Sequence, residues 1–212
     1  MSFRDRIQNY GEEVLTRQVI LSMLSDYKRP NDKINELIKK GELTVLKKGM
    51  YVPGPSLNIP GPEQLLVANH LWGPSYVSLE TALSHWGFIP ERVFEITSVT
   101  VKPTKNYRTE IGKFSYQHAS LPYYAFGIRS VQLTPKQVVL LASPEKALCD
   151  KIIMTSGVFL RSRKQTQEFL IEDLRIDEEK LKELKLEEIH SWIGHAYKAA
   201  SLEMLIKTIR SL

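Results

Sequence analysis

The sequence predicts an α+β protein in which a small unit of helices and a β-hairpin precedes a larger mixed domain with a helical C-terminal tail. Three observations support this prediction. Helical periodicity of apolar residues before residue 41 gives way to two short β-prone runs. Strand-like segments separated by Pro, Gly and Asn recur between residues 94 and 142, and helical patterns return after residue 166. A chain of 212 residues has room for one small domain and one medium domain.

The small unit has recognisable helix boundaries. Thr16 is the predicted N-cap of one helix, because its hydroxyl can accept a hydrogen bond from an amide in the first turn. A second helix is expected to begin at Pro30 or Asn31, where proline suits the first helical position, and to end at Gly41. An initial helix over residues 3–9 completes a set of three.

A hairpin is predicted directly after these helices. Residues 43–46 and 50–52 are short β-prone runs, and Lys47, Lys48 and Gly49 form a basic turn between them. The order of helices followed by a hairpin predicts a winged helix-turn-helix over residues 1–53. Four prolines and two glycines between residues 53 and 62 indicate a linker, assigned to residues 54–62, and residues 63–212 form the second domain.

The second domain is expected to combine helices and strands. Its predicted helices cover residues 63–71, 78–86 and 143–154, with further starts near Asp177, Leu186 and Ser201. The predicted strands cover residues 96–101, 111–118, 130–133 and 138–142.

A winged helix-turn-helix typically binds duplex DNA through its second motif helix, with the wing against phosphate. The polar residues at the start of that helix and on the side away from Ile34, Leu37 and Ile38 are therefore candidate DNA contacts, together with the turn lysines. The candidates are Lys28, Arg29, Asn31, Lys33, Asn35, Lys39, Lys47 and Lys48. Asp32 and Glu36 dilute the positive charge, and a solvated face of a protein-binding unit is the alternative interpretation.

Charge is distributed unevenly along the chain. Residues 1–165 hold 22 basic and 14 acidic residues, a net charge of +8, whereas residues 166–212 hold 7 and 10, a net charge of −3. A basic excess attracts phosphate or an acidic partner at long range but carries no information about fold. The charge pattern is compatible with DNA binding and does not establish it.

Patterns that accompany catalysis, cofactors or metals are missing. The sequence has no phosphate-binding glycine loop, dinucleotide fingerprint or nucleophile elbow, and its five histidines form no pair at helical spacing. Cys149 is the single cysteine and is expected to be buried and structural. The longest aliphatic run, residues 138–142, is far shorter than the roughly 20 residues of a membrane helix. We therefore expect a cytoplasmic, non-enzymatic protein without metal, cofactor, membrane segment or cleaved signal.

Four segments together resemble one known family. They are LIKKGELTVLKKGMYVPG, PSYVSLETALSHWGFIPE, EIGKFSYQH and ASPEKALCDKI. Their order and spacing are similar to those of the AbiEi antitoxins of type IV toxin-antitoxin systems, which act in abortive infection and phage defence. The resemblance covers about residues 10–155, and the last 55 residues match only as a helical tail.

The resemblance implies two roles. The N-terminal domain would bind inverted repeats in its own promoter and repress it, and the second domain would counteract an AbiEii-type nucleotidyltransferase toxin without forming a stable complex with it. Basic residues in two places are candidates for the antitoxin surface. They are Lys102, Lys105, Arg108 and Lys113 on a predicted hairpin, and Arg161, Arg163 and Lys164 in a later loop.

Two other classes of protein remain open from the sequence. In one, the second domain of a winged-helix transcription regulator binds a small-molecule effector. In the other, the protein is a DNA-processing enzyme, against which the missing pattern of metal-binding carboxylates counts.

Overall fold

The structure is a computed structural model that describes residues 2–91 and 93–212. It combines helices with two β-sheets, so the predicted α+β class is confirmed at that level.

Residues up to Pro53 form three helices and a three-stranded antiparallel sheet. The elements are α1 (Phe3–Ile7), β1 (Leu15–Thr16), α2 (Arg17–Met23), α3 (Pro30–Lys39), β2 (Leu43–Lys47) and β3 (Met50–Pro53). The strand order is β1-β3-β2. The hydroxyl of Thr16 accepts a hydrogen bond from the amide of Val19 at 3.3 Å, as expected for an N-cap. The first helix is shorter than predicted, because a 3-10 turn replaces its last residues.

These elements enclose a small apolar core. Ile34 and Leu37 on α3 are buried beside Ile20 and Leu24 from the segment of α2. The apolar periodicity of both helices therefore identified the correct buried faces.

Leu37 is 2 % exposed at the centre of this core, so we expect Leu37→Ala to lower the free energy of unfolding by about 2 to 5 kcal/mol. The cost combines lost burial with the cavity left behind. Urea unfolding of the full chain, followed by circular dichroism, measures the change. An unchanged midpoint would mean that Leu37 does not support this core.

The segment predicted as a linker begins as an ordered part of the small unit. The amide of Gly54 donates to the carbonyl of Glu42 at 2.9 Å, and the amide of Ser56 donates to the carbonyl of Gly41 at 3.0 Å. A Cβ at position 54 would lie 2.1 Å from the Gly41 oxygen, so only glycine fits against this backbone.

The second domain is built on a six-stranded mixed sheet in the order β6-β7-β5-β4-β9-β8. Its strands are β4 (Ser75–Val77), β5 (Glu95–Thr100), β6 (Lys105–Thr109), β7 (Gly112–His118), β8 (Ile128–Thr134) and β9 (Gln137–Ala142). The helices among them are α4 (Gln64–Leu71), α5 (Leu79–His85) and α6 (Pro144–Met154). Two strands of this sheet, like β1 of the small unit, were not predicted: β4 has only three residues, and β6 is a polar edge strand whose composition resembles a solvated loop.

Helices dominate the end of the chain, as predicted. They are α7 (Arg163–Gln167), a π-helical segment (Glu168–Asp173), α8 (Glu178–Lys182), α9 (Leu186–Trp192) and α10 (Ala199–Ile209). The last helix begins two residues before Ser201, whose hydroxyl accepts a hydrogen bond from the Leu160 amide at 3.1 Å. Among the described residues, no helix is both long enough and apolar enough to cross a membrane.

The small unit and the second domain are in direct contact. Leu46 and Val52 of the hairpin belong to the large core of the second domain. The carboxylate of Glu12 accepts hydrogen bonds from the Thr134 hydroxyl at 2.9 Å and from the Gln137 amide at 2.8 Å. The hairpin and Glu12 therefore attach the small unit to the rest of the protein.

Candidate nucleic-acid interface

Helix α3 exposes the polar face opposite its buried residues. Of the predicted DNA contacts before the hairpin, the exposed ones are Lys28, Arg29, Asn31, Asn35 and Lys39. Lys28 and Arg29 directly precede the helix and form no ion pair with any described residue. Their charges are thus available at the N-terminal end of α3.

Lys33 differs from this expectation, because its ammonium group already has partners. It donates to Glu36 at 2.9 Å and lies 5.3 Å from the centre of the Tyr27 ring. The bond to Glu36 raises the pKa of Lys33, and bonds from Lys40 and Lys33 lower the pKa of Glu36. The acidic charge of Glu36 is therefore neutralised within α3, and Lys33 is not a free donor.

Arg17 is a basic residue of this surface that the sequence analysis missed. Its guanidinium donates to the side-chain oxygen of Asn31 at 2.6 Å, and its backbone amide donates to the carbonyl of Gly49 at 2.9 Å. Arg17 thereby connects the start of α3 with the hairpin turn. Its position directly after the predicted N-cap Thr16, at the exposed start of a helix of the small unit, was the available signal.

The two lysines of the turn point in different directions. Lys48 is exposed, and Gly49 takes the left-handed conformation that completes the turn, with φ at 80°. Lys47 was expected to project with Lys48, but its ammonium group instead donates to the carbonyl of Leu71 at 2.5 Å. A bulge between Val45 and Lys47 changes the register of the hairpin at this point.

Lys47 belongs to a cluster of three lysines around Trp72. The ammonium groups of Lys47, Lys102 and Lys105 lie 5.8, 4.9 and 4.7 Å from the centre of its ring. The indole is held in place by a hydrogen bond of 3.1 Å to the carbonyl of Pro103. Burial and the charges of Lys102 and Lys105 lower the pKa of Lys47. None of these lysines has a carboxylate within ion-pair distance in the described part of the chain.

The other basic candidates lie elsewhere on the second domain. Arg108 and Lys113 are exposed and directly opposite each other on β6 and β7. Arg161, Arg163 and Lys164 are exposed at the start of α7, where Lys164 lies 3.8 Å from Glu168. The predicted antitoxin residues therefore do not form one surface. One group lies on β6 and β7 and another at the start of α7, whereas Lys102 and Lys105 lie around Trp72 together with Lys47 of the hairpin.

A fully buried ionic network holds the centre of the second domain. Asp150 accepts hydrogen bonds from the hydroxyls of Tyr76 at 3.0 Å, Ser78 at 2.7 Å and Tyr123 at 2.8 Å. Its carboxylate also lies 3.2 Å from the ammonium group of Lys146, which donates to the Tyr123 carbonyl at 2.9 Å. Burial lowers the pKa of Lys146 and raises those of Tyr76 and Tyr123. All residues of this network are buried. Their bonds connect α6 to β4, to Ser78 directly after β4 and to Tyr123.

Cys149 is buried, as predicted, and burial raises its pKa to about 12. A thiol with this pKa is a poor nucleophile at neutral pH. All five histidines are exposed. Within residues 2–91 and 93–212, no three His, Cys, Asp or Glu side chains come close enough to hold a metal ion.

An open groove of about 710 Å³ lies on the second domain between β5, β7 and α6. Its walls combine apolar residues such as Ile89 and Met154 with polar Thr97 and Gln117. The Glu80 and Lys151 side chains at its edge form an ion pair of 2.5 Å. The volume falls within the range of small-molecule sites.

Comparisons with known proteins identify the fold and no more. No family model matches the chain, and no curated protein sequence matches it. Among solved structures, the chain is similar to the crystal structure of RV2827C protein from Mycobacterium tuberculosis, with a TM-score of 0.60 and 14 % sequence identity. The match covers 97 % of this chain and 75 % of that one, so the chain shares its mixed α/β architecture over almost its whole length.

Proposed function

We propose that residues 1–53 are a winged helix-turn-helix that binds the promoter of the protein's own gene. The observation that carries this proposal is a basic surface formed by the start of α3 and the adjoining hairpin turn. Lys28 and Arg29 stand at the start of α3, Arg17 contacts both α3 and the hairpin turn, and Lys48 projects from that turn.

This surface matches the requirements of duplex recognition. With α3 in the major groove, the exposed Lys28, Arg29 and Lys48 would contact phosphates, and Asn35 would present an amide to base edges. Asn31 retains its two amide hydrogens for acceptors on base edges or phosphates, while its oxygen accepts a hydrogen bond from Arg17. A two-fold arrangement of the protein on inverted repeats would follow the usual symmetry of such sites.

We further propose that the protein is the antitoxin of a type IV system and opposes a nucleotidyltransferase toxin without a stable complex and without catalysis of its own. The resemblance to AbiEi antitoxins supports this role. Two segments that carry the resemblance are in contact: Tyr76 and Ser78 of PSYVSLETALSHWGFIPE donate hydrogen bonds to Asp150 of ASPEKALCDKI. The shared motifs thus have a structural reason to occur together, and the exposed groups at Arg108 and at Arg161 remain candidates for the antitoxin surface.

Gel shifts test the DNA-binding half. We expect the full chain to bind a fragment from upstream of its own gene in preference to an unrelated fragment of equal length. Equal affinity for both fragments would contradict a specific repressor.

Co-expression tests the antitoxin half. A nucleotidyltransferase encoded directly downstream should arrest growth alone, and the full chain should restore growth even where the two proteins do not co-purify. Failure to restore growth, with the antitoxin expressed and folded, would contradict this role. Cys149→Ser should restore growth as well as the wild type, since the thiol is buried and protonated.

The groove on the second domain favours one alternative, a regulator that responds to a small-molecule effector. Such a regulator would change its DNA affinity on adding a metabolite, and substitutions at Thr97 or Gln117 in the groove would abolish the response. An antitoxin would restore growth regardless of the groove.

A further inference from the structure

The cluster of Lys47, Lys102, Lys105 and Trp72 carries three positive charges without a carboxylate partner among the described residues. Three ammonium groups lie within 6 Å of one ring centre, at 5.8, 4.9 and 4.7 Å. The ring face attracts each cation, but the cations repel one another, and no carboxylate of a described residue pairs with any of them. An anion placed among them would relieve this repulsion.

The cluster is built from three separate segments of the chain. Lys47 comes from the hairpin, Trp72 follows α4, and the other two lysines flank the turn between β5 and β6. Three bonds fix its geometry: Lys47 to the Leu71 carbonyl, Lys102 to the Gly73 carbonyl and the Trp72 indole to the Pro103 carbonyl. The ammonium groups of Lys47 and Lys102 and the Trp72 ring are therefore held in place, and the exposed Lys105 lies over the same ring.

The backbone of the hairpin turn links the cluster to the basic surface of the small unit. Asn31 contacts Arg17, Arg17 contacts Gly49, and the turn that contains Gly49 continues through the exposed Lys48 to Lys47. Neighbouring residues of one turn therefore present positive charge on both sides of the hairpin. The regularly spaced phosphates of a DNA backbone can contact both groups of charges at once, which a single small anion cannot.

We propose that Lys102 and Lys105, together with Trp72 and Lys47, form a second phosphate-binding site of the DNA-binding surface, so that the second domain contacts the same duplex as α3. This inference rests on the proposed DNA-binding function. It separates Lys102 and Lys105 from the other candidates for the antitoxin surface. The second domain then contributes to affinity, while the choice of sequence stays with α3.

The salt dependence of DNA affinity in Lys102→Ala/Lys105→Ala tests this proposal. Each phosphate contact contributes about 0.9 to the slope of log affinity against log salt, so the slope should become flatter by about 1.8. At moderate salt the affinity should fall by about tenfold to thirtyfold, for specific and unrelated duplexes alike. Anisotropy of a labelled upstream duplex, with the full-length protein, measures both quantities.

Lys182→Ala/Lys207→Ala is the matched control, since it removes two exposed positive charges from the helical tail, outside every candidate site. The control should keep the wild-type slope, and Lys102→Arg/Lys105→Arg should restore most of it. A slope in the alanine pair equal to that of the control would overturn the second site while leaving DNA binding intact. A wild type that binds no DNA would instead refute the proposed function, and the inference with it.

Growth rescue from the toxin tests whether Lys102 and Lys105 act on DNA or against the toxin. The alanine pair should rescue growth as well as the control does, because its loss is confined to DNA. Loss of rescue with an unchanged DNA slope would overturn the proposal and assign Lys102 and Lys105 to the antitoxin surface.

Discussion

Replacing Asp150 with alanine is expected to lower the free energy of unfolding by about 3 to 5 kcal/mol, the cost of removing one partner from a buried ion pair. The substitution leaves the ammonium group of Lys146 without its counter-charge. It also removes the acceptor of three hydroxyls, those of Tyr76, Ser78 and Tyr123. Urea unfolding at neutral pH measures the loss.

The double variant Lys146→Met/Asp150→Leu is the control, because apolar groups replace both charges. It should recover part of the lost stability, although the three hydroxyls still lack an acceptor. A double variant as unstable as the single one would mean that the unpaired lysine charge is not the cause.

The pH dependence of Asp150→Ala provides a second check. Burial lowers the pKa of Lys146, and Asp150 opposes that effect. Without Asp150, the folded protein holds the Lys146 proton less tightly than the unfolded chain does. Stability of the variant should therefore rise with pH above the lowered pKa and level off near the lysine's unfolded value of about 10.4. No such rise relative to the wild type would argue against an isolated lysine charge.

The second large effect is expected on DNA affinity. Lys28→Ala/Arg29→Ala/Lys48→Ala removes three exposed positive charges from α3 and the hairpin turn. If each contacts one phosphate, affinity at moderate salt should fall by about 100-fold and the salt slope should flatten by about 2.7. Thermal stability should hardly change, because none of the three side chains is buried.

A matched triple variant in the second domain is measured in the same two assays, DNA affinity and growth rescue. Arg161→Ala/Arg163→Ala/Lys164→Ala removes the same number of exposed charges from the second domain. It should keep DNA affinity, and it should lose growth rescue if this group is the antitoxin surface. Equal loss of DNA affinity in both triples would indicate a nonspecific effect of net charge.

Local signals made the small unit predictable. Thr16 caps its helix, Pro30 begins the next one, and Gly49 allows the turn, each through chemistry that its immediate neighbours decide. The buried face of α3 followed from periodicity for the same reason. Cys149 could be assigned to the interior because it lies in an apolar helical segment.

Partners distant in the sequence were not predictable. Lys47 was expected to be free, and only the folded chain shows that its ammonium group donates a hydrogen bond to the carbonyl of Leu71, 24 positions away. The charge of Lys33 is compensated within its own helix, but its spacing to Glu36 alone does not decide which rotamer forms. Strand β6 was missed because its polar sequence reflects an edge position that depends on the whole sheet.

The cluster around Trp72 illustrates the same limit for function. Its lysines come from two segments more than fifty positions apart, and nothing in either segment indicates a shared ring. The candidate DNA surface could therefore be located on α3 from the sequence, whereas its extension to the second domain required the fold.

The salt dependence of binding to the upstream duplex tests the central claim most directly. An anisotropy titration of the wild-type protein at several salt concentrations should give a slope of about −4 to −5, corresponding to about five phosphates. The same titration on an unrelated duplex should give a similar slope at much lower affinity. Binding that is indifferent to salt, or equal affinity for the two duplexes, would contradict a specific DNA-binding repressor.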